Sequence, residues 1–400
     1  MLIISFDAVG SNEFERLVQY PTIAALRKQS ALFLDVESVF PSSTYPVHTS
    51  VITGVAPGVH GVASNTEPFP STNPIWNSNE RDIRAQTLWQ AAALHGIDTA
   101  AVLWPVTAHS KTIRYNIPEV RARPGKSQLL TSLAAGSAAL QFKMYLRHRK
   151  LLDGIRQPNL DNFTTSCMVD ILRENNPGLA LVHLTAYDAF CHEYSKESER
   201  MGEACESLDR SLAALLGVAG SDRDVIVFSD HSQLSVHTPC DPNSALVEAG
   251  LLGRRGGGEY HMGPDGCFIE CCGGSAFFHA GRLSASRIAE WRDRIGQSEG
   301  FRRFLTDAEM HNAGYGGAER SDAAQSGAAF GFCAKIGYSY ETHMSDIKSN
   351  HGYPLDMPDY TVFYMARGSG FTPGSVIRGG SLLDIAPLAA RMMKFKMEIS

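Results

Sequence analysis

Short apolar runs alternate with amphipathic stretches over the first 105 residues. Residues 2–6, LIISF, have the length and composition of a buried strand. Residues 87–97, TLWQAAALHGI, have apolar positions at helical spacing and a glycine stop, and the strand-like run TAAVLW follows. This repetition of strand and helix predicts an open α/β sheet flanked by helices.

Three of the apolar runs lead into residue types that bind metal ions. LIISF ends on Asp7, LALVHLTAY leads to Asp188, and DVIVFS ends on Asp230, which is followed by His231. A strand of an open α/β sheet delivers its next residue into the crevice at the carboxyl edge of the sheet, where such folds bind ligands. The three carboxylates are therefore predicted to converge on one site.

Two further histidines extend this set of candidate ligands. His192 follows Asp188 by four residues, and His351 lies in the glycine-flanked turn SNHGYP. The number of ligands suits two divalent cations. Because Asp and His together favour a borderline cation, we predict zinc, with manganese as the alternative.

A candidate nucleophile lies between the first two carboxylates, in FPSSTYPVHTSVITG. Here Phe40–Ser43 are predicted to end a strand, Pro46 suits the first turn of a helix, and Gly54 ends that helix. Thr44 would then lie at a helix N-terminus, where free N–H groups and the helix dipole favour an anion. Coordination to a divalent cation would make its hydroxyl a nucleophile near neutral pH.

Taken together, the motifs resemble those of a known family. They occur in one order along nearly the whole chain, and the final segment, with a last strand and a closing helix, fits as well. The resemblance is to the nucleotide pyrophosphatase/phosphodiesterase branch of the alkaline phosphatase superfamily, and it implies an alkaline-phosphatase-like core with a central, mostly parallel sheet. The motifs are SFDAVG, FPSSTYPVHTSVITG, GVHGVASN, YDAFCH, FSDHSQ and SNHGYP.

The resemblance also implies a role for each candidate residue. Thr44 would be the nucleophile at the second metal, and Asn65 would donate its amide to a phosphoryl oxygen. Tyr45 and His183 would contact the substrate. One metal would be held by Asp188, His192 and His351, and the other by Asp7, Asp230 and His231.

Some residues depart from the family pattern or lie close to its motifs without a role in it. Cys191 places a thiol next to His192, and a thiolate is itself a zinc ligand. His183 stands where the family has an aromatic side chain that stacks on a base. Three more histidines lie near motifs and are secondary candidates for the site: His48, His60 and His237.

The remaining segments are predicted to elaborate one catalytic domain. A long helical stretch, LLTSLAAGSAALQFKMYLRHRKLL, is interpreted as a cap over the active site, and its basic residues Lys143, Arg147, Arg149 and Lys150 would either face solvent or attract an anionic substrate. The predicted segments are a first part of the core (1–105), the helical cap (106–165), the core continued (166–245), a second elaboration beside the site (246–345) and the C-terminal part of the core (346–400).

Composition restricts the partners. A net charge of −6 gives no basic footprint for nucleic acid, and no run approaches the roughly 20 apolar residues that a membrane span requires. The eight cysteines lack paired CxxC spacing and are predicted to be reduced thiols. Because Met1 leads directly into the first strand without a signal-peptide pattern, we expect a cytoplasmic protein.

The predicted activity is hydrolysis of phosphodiester or pyrophosphate bonds in a small-molecule phosphate ester, through a covalent threonine intermediate at a two-metal site. A phosphomonoesterase and a phosphonate hydrolase of the same superfamily are the alternatives, although no Arg lies next to Thr44 to meet the extra charge of a monoester. A phosphomutase and a non-catalytic metal-binding protein are less favoured. A sulfatase is disfavoured, because Thr44-Tyr45-Pro46-Val47-His48 lacks the modifiable Cys or Ser and the Arg of that class.

Overall fold

The computed structural model describes residues 1–256, 258–316, 327–343 and 346–399. Within these ranges the helices and strands alternate through most of the chain. The strands are β1 (Leu2–Phe6), β2 (Ala31–Val36), β3 (Thr99–Val102), β4 (Tyr115–Ile117), β5 (Leu179–Leu184), β6 (Val225–Phe228), β7 (Leu234–Cys240), β8 (Leu252–Arg254), β9 (Tyr260–Met262), β10 (Phe268–Cys272), β11 (Ser275–His279), β12 (Phe301–Phe304), β13 (Phe330–Ala334), β14 (Gly337–Tyr340), β15 (Ser349–Asn350), β16 (Val362–Arg367) and β17 (Val376–Arg378).

The helices vary from single turns to five turns. They are α1 (Phe14–Leu17), α2 (Pro21–Gln29), α3 (Thr44–Thr53), α4 (Pro57–His60), α5 (Leu88–Leu94), α6 (Gln128–Ala135), α7 (Ala138–His148), α8 (Asn159–Asn175), α9 (Ala186–Tyr194), α10 (Met201–Ala219), α11 (Asn243–Glu248), α12 (Ala285–Gly296), α13 (Asp307–Asn312) and α14 (Ile385–Met392).

A sheet of eight strands forms the centre of the molecule. Its order is β17-β2-β16-β6-β1-β5-β3-β4. Strand β1 pairs in parallel with β5 and β6, whereas β16 is antiparallel to both of its neighbours. The other strands all run in one direction. Their carboxyl ends therefore meet at one edge of the sheet, as the predicted fold class requires.

The central sheet is buried on both faces. Along β1, the side chains of Leu2, Ile4 and Phe6 enter one apolar core and Ile3 enters another, because successive side chains of a strand point to opposite faces. The first core is shared with α2, α8, α9 and α10, and the second with α3, α5 and α14. This explains why the strands read as continuous apolar runs.

A second group of strands lies beyond the central sheet. Strands β10, β11, β13 and β12 form an antiparallel sheet in that order, and its core draws on residues from 234 to 360. Most of it falls within the predicted second elaboration, whose boundaries stay a prediction together with those of the other segments. Residues 257, 317–326 and 344–345 of that segment lie outside the described residues.

Two local predictions are confirmed and two are wrong in detail. The helix predicted at 87–97 and the strand predicted after it are present as α5 and β3. The strand before Thr44 ends at Val36, so Phe40–Ser43 lie in the connection to α3 and not at the end of the strand. The long helical stretch is divided at Gly136, where a Cβ would lie 2.5 Å from the side chain of Pro118.

The basic residues of the predicted cap have different surroundings. Lys143 forms an ion pair with Glu174 of α8, and Arg147 pairs with Asp170 and Glu174. Those two cations are thus partly neutralised at the surface, whereas Arg149 and Lys150 are exposed at the end of α7.

Among the described residues, none of the helices combines the length and the apolar character needed to cross a lipid bilayer. The eight cysteines are free thiols, five of them buried.

Candidate active site

The predicted ligands come from four segments of the chain, three of which follow strands of the central sheet at its carboxyl edge. Asp7 follows β1, and Asp230 follows β6 with His231 directly after it. Helix α9 follows β5 and carries Asp188 and His192 one turn apart, so that both side chains lie on the same face. His351 lies in the turn after β15. The structure therefore brings all six predicted ligands together.

The six residues form two clusters. In each, one potential ligand atom per residue lies within 4.8 Å of those of the other two. The inner cluster is Asp7, Asp230 and His231, all buried, and the outer cluster is Asp188, His192 and His351, all partly exposed. The outer cluster is therefore the more accessible of the two to solvent.

Hydrogen bonds to neighbouring groups orient these side chains, so that one potential ligand atom of each faces its cluster. Oδ1 of Asp230 accepts from the N–H groups of Ala8 (3.1 Å) and His231 (2.9 Å). Nδ1 of His192 lies 2.8 Å from the carbonyl oxygen of Ser349, which leaves Nε2 facing Asp188 at 3.2 Å. Such outer contacts fix the direction in which a metal ligand points.

Four buried atoms of the clusters have no hydrogen-bond partner among the described residues. They are Oδ1 of Asp7, Oδ2 of Asp230, Nδ1 of His231 and Nδ1 of His351. Buried polar atoms are normally paired, and two carboxylate oxygens with imidazole nitrogens are a suitable donor set for zinc or manganese. The residues present thus fit the predicted divalent cations.

The pKa values of the site, taken without any cation, show that its carboxylates lack compensating positive charge. Burial, together with repulsion from Asp230 and Asp188, raises the pKa of Asp7 well above its usual range. Burial also raises the pKa of Asp230 to about 6 and lowers that of His231 to about 4. At Asp188, burial acts upward but is outweighed by the charge and hydrogen bond of His192, so its pKa is lowered. A cation between these carboxylates would relieve their repulsion.

Thr44 is the first residue of α3 and borders the inner cluster. Its Oγ1 lies 3.4 Å from Nε2 of His231, and its side chain is 9% exposed. The preceding Ser43 makes no side-chain capping bond, so the N–H groups of the first turn are not capped by it. The helix N-terminus therefore favours an anion next to the Thr44 hydroxyl.

Asn65 is oriented by a backbone contact. Its Oδ1 accepts a hydrogen bond of 2.8 Å from the N–H of Tyr45. Since the oxygen is engaged, the NH₂ group of the amide is the part that remains to donate to a ligand beside Thr44.

The two predicted substrate contacts occupy interior positions. Tyr45 is 1% exposed and packs against Trp76, with 5.2 Å between ring centroids. His183 is fully buried; its Nε2 lies 2.9 Å from Oδ2 of Asp7, and its Nδ1 lies 3.0 Å from Oε2 of Glu119. Contact of either residue with a substrate stays a prediction.

Burial alone would lower the pKa of His183, but its hydrogen bonds to Asp7 and Glu119 raise it well above its usual value. Sequence reasoning missed Glu119, although it follows β4 at the same edge of the sheet as the ligands. The strand-end rule that identified Asp7 would have found it.

The three histidines that were secondary candidates lie in different surroundings. His48 lies beneath the site, with Nδ1 at 2.8 Å from the Thr44 carbonyl oxygen and 3.4 Å from Oδ2 of Asp230. His60 is buried and bonds to Ser50, whereas His237 is exposed on β7.

Cys191 is buried and its sulfur lies 4.0 Å from that of Met201. Burial raises the pKa of this thiol well above its usual value, which disfavours the thiolate that a zinc ligand requires.

Comparisons with known proteins bear on the family and the fold of the chain. A sequence model of the type I phosphodiesterase / nucleotide pyrophosphatase family matches residues 1–315. A bis(5'-adenosyl)-triphosphatase, ENPP4, from Pongo abelii is 27% identical, over 99% of this chain and 78% of the relative. The corresponding protein from Bos taurus is 23% identical over 63% of this chain and 50% of the relative. Human ectonucleotide pyrophosphatase/phosphodiesterase family member 1 is 25% identical over 21% of this chain and 10% of the relative. The chain thus spans half or less of the length of several of these relatives.

Solved structures share the fold over the whole chain. Murine ENPP5, in an inactive variant in complex with AMP, superposes with a TM-score of 0.68 at 16% identity, covering 100% of this chain and 96% of that one. Phosphonoacetate hydrolase from Sinorhizobium meliloti 1021 superposes with a TM-score of 0.68 at 15% identity, covering 98% and 95%. The predicted fold class and family resemblance are confirmed: the chain belongs to the type I phosphodiesterase / nucleotide pyrophosphatase family.

Proposed function

We propose that the protein hydrolyses phosphodiester or pyrophosphate bonds in a small-molecule phosphate ester, through a covalent intermediate on Thr44 and with two divalent cations. The observation that carries the proposal is the position of Thr44. Its hydroxyl lies at a helix N-terminus and 3.4 Å from a nitrogen of the inner cluster, in a site with four unpaired buried ligand atoms.

Asp7, Asp230 and His231 would hold one cation, and Asp188, His192 and His351 the other. When bound, the cations supply the positive charge that lowers the pKa of a nearby hydroxyl and neutralises the charge of a phosphoryl group. Zinc is the proposed ion for both positions because each cluster contains at least one imidazole.

In the first step, Oγ1 of Thr44 attacks phosphorus in line. A bond forms between this oxygen and phosphorus, and the bond from phosphorus to the leaving oxygen breaks. The proton of the hydroxyl passes to solvent and the leaving oxygen receives one. In the second step a water oxygen forms a bond to the same phosphorus and the bond between phosphorus and Oγ1 breaks. The water loses a proton and Oγ1 takes one up, which releases the phosphate product and restores Thr44.

Asn65 and the N-terminus of α3 would stabilise the charge that develops on phosphorus. The amide NH₂ of Asn65 is oriented by the bond from Tyr45 N–H to its oxygen, and it needs no rearrangement to donate. Preorganised donors of this kind supply a large part of the rate acceleration in phosphoryl and acyl transfer.

A phosphonate hydrolase is the second candidate. Phosphonoacetate hydrolase, whose structure was solved in complex with phosphonoacetate, has the same fold over 98% of this chain. Tyr45 and His183 are also buried, so neither ring offers an exposed surface on which a nucleobase could stack. Such an enzyme would use the same ligands and nucleophile.

The test compares bis-p-nitrophenyl phosphate, p-nitrophenyl phosphate and phosphonoacetate as substrates of zinc-loaded and EDTA-stripped protein. We expect zinc-dependent turnover with preference for the diester. Release of phosphate from phosphonoacetate without diester hydrolysis would establish the second candidate instead. Preference for the monoester would contradict both.

A pair of variants on the same helix tests the nucleophile. Thr44→Ala is expected to lower kcat by roughly 10³-fold or more while zinc content stays at the wild-type value. Thr53→Ala is the matched control, because Thr53 is also buried on α3 and donates to the carbonyl oxygen one turn before it at 2.7 Å. Full turnover by Thr44→Ala would refute the assignment.

A further inference from the structure

The positive charge of the chain is concentrated in one segment. Residues 120–160 contain eight Lys and Arg and one acidic residue, Asp153, which gives a net charge of +7. Since the whole chain carries −6, the remaining residues carry −13. Three of these cations pair with acidic residues, Lys143 and Arg147 with residues of α8 and Arg156 with Asp153. The others give the segment a positive surface, which favours an anionic partner. The eight residues are Arg121, Arg123, Lys126, Lys143, Arg147, Arg149, Lys150 and Arg156.

Exposed apolar side chains are concentrated in the same segment. Among the described residues, twelve large hydrophobic side chains are strongly exposed, and five of them lie between residues 120 and 160. This segment is about a tenth of the chain, so the density of exposed apolar groups is several times that elsewhere. Clustered groups of this kind indicate an interaction surface. The five are Leu130, Phe142, Leu146, Leu151 and Ile155.

Helix α7 places both features on one face. Its buried side consists of Gln141 and Met144, which pack towards β4 and α8. Phe142 and Leu146 are one turn apart and so lie next to each other on the opposite, exposed side. Arg149 and Lys150 follow at its C-terminal end and are also exposed.

The segment begins next to the candidate active site. It starts after β4, at the carboxyl edge of the central sheet, and the preceding Glu119 bonds to His183. Helix α7 itself packs against β4 and α8.

We propose that this surface, formed by the exposed residues Phe142, Leu146, Arg149 and Lys150 of α7 and the turn after it, docks the protein onto an anionic lipid bilayer. An anionic bilayer matches both properties: the headgroups attract the cations, and the acyl boundary accepts Phe142 and Leu146. A nucleic acid would attract the basic residues but would not explain the exposed apolar side chains. The association is peripheral and independent of the proposed catalytic function.

The proposal predicts a specific dependence on lipid charge and salt. The protein should sediment with vesicles of phosphatidylcholine containing 30 mol% phosphatidylserine at low salt, and should remain in the supernatant with pure phosphatidylcholine. Raising NaCl to 0.5 M should release it, because exposed charges are screened. Each basic residue near an anionic surface strengthens binding by roughly fivefold.

Two double variants and two matched controls test the surface. Arg149→Glu/Lys150→Glu should weaken binding by roughly 30-fold or more. Arg27→Glu/Lys28→Glu, an adjacent basic pair on α2, should bind as the wild type. Replacing the apolar pair, Phe142→Ser/Leu146→Ser, should weaken binding by roughly tenfold or more.

Leu94→Ser is the control for the apolar pair, because Leu94 is 77% exposed on α5 and lies outside the segment. All variants should keep the wild-type melting temperature and hydrolyse a soluble substrate normally, since no residue involved belongs to the site.

Three outcomes would overturn the proposal. They are wild-type protein that fails to bind anionic vesicles at low salt, equal binding to neutral vesicles, and equal loss of binding in the control variants. Self-association that the Phe142→Ser/Leu146→Ser variant abolishes, without any vesicle binding by the wild type, would assign the surface to a second copy of the chain.

Discussion

His183 offers the sharpest test of how the interior of the protein controls the candidate metal site. Its two ring nitrogens lie 2.9 Å from Oδ2 of Asp7 and 3.0 Å from Oε2 of Glu119, and the imidazole is fully buried. The bond to Oδ2 leaves Oδ1 of Asp7 to face His231 at 3.4 Å. His183 therefore determines which oxygen of Asp7 is available as a ligand.

Replacing His183 with Ala would remove this constraint. Loss of a hydrogen bond to a metal ligand lowers metal affinity by roughly 10- to 100-fold. In the metal-free protein it would also leave the buried carboxylate of Asp7 unpaired, which costs about 3–5 kcal/mol of unfolding free energy. Because stabilisation by a ligand falls as its affinity falls, saturating zinc should stabilise the variant by about 1.4–2.7 kcal/mol less than it stabilises the wild type.

The assay combines a zinc titration in the presence of a competing chelator with urea unfolding of stripped and loaded protein. His60→Ala is the matched control, because His60 is a fully buried histidine that contacts Ser50 and lies outside both ligand clusters. It should lose stability without losing zinc affinity. If folded His183→Ala bound zinc within twofold of the wild type, the reasoning about Asp7 would be refuted.

Three further predictions concern other buried positions. Burial lowers the pKa of His60 to about 3, so its contribution to stability is complete above its unfolded pKa near 6.5 and is lost as the pH falls towards 3. The difference in unfolding free energy between the wild type and His60→Gln should therefore shrink between pH 6.5 and pH 3. A difference that stays constant over that range would contradict this prediction. Cys191→Ala should retain the zinc content of the wild type, measured by atomic absorption, because the thiol contacts Met201 and belongs to neither cluster; loss of one zinc would show that it is a ligand. Gly352→Ala should lower zinc occupancy and activity. Gly352 has φ +82°, and a Cβ there would overlap the carbonyl oxygen of Cys272 and so displace the neighbouring His351. An unchanged zinc content would contradict this prediction.

The sequence predicted the fold well because the central strands are buried on both faces. Each therefore appears as a short apolar run, and the polar residue that follows such a run must lie at the sheet edge. This reasoning located Asp7 and Asp230 from local pattern alone. His351 was harder, since it follows a two-residue strand with no apolar run. Its glycine-flanked turn made it a candidate, and the family resemblance assigned it to one of the two metals.

What the sequence could not supply is the direction of side chains within the interior. Tyr45 and His183 adjoin the nucleophile and a ligand-bearing strand, yet both rings are buried. Whether such a residue faces the substrate or packs behind a ligand depends on tertiary contacts with segments far away in sequence. Glu119, which lies 64 residues before His183, is one such contact.

The order of the strands has a consequence for how the protein is made. β1, near the start of the chain, has as its neighbours β5 and β6, which begin at Leu179 and Val225. His351 of the outer cluster is synthesised later still. Strand pairing over such long separations is slow, because the loop must close before any contact forms. On a ribosome, β1 would stay without a neighbour until β5 has emerged, and β2 would stay without one until β16 and β17 have emerged. The inner cluster could assemble once His231 has been made, whereas the outer cluster would be completed only after nearly the whole polypeptide has been translated.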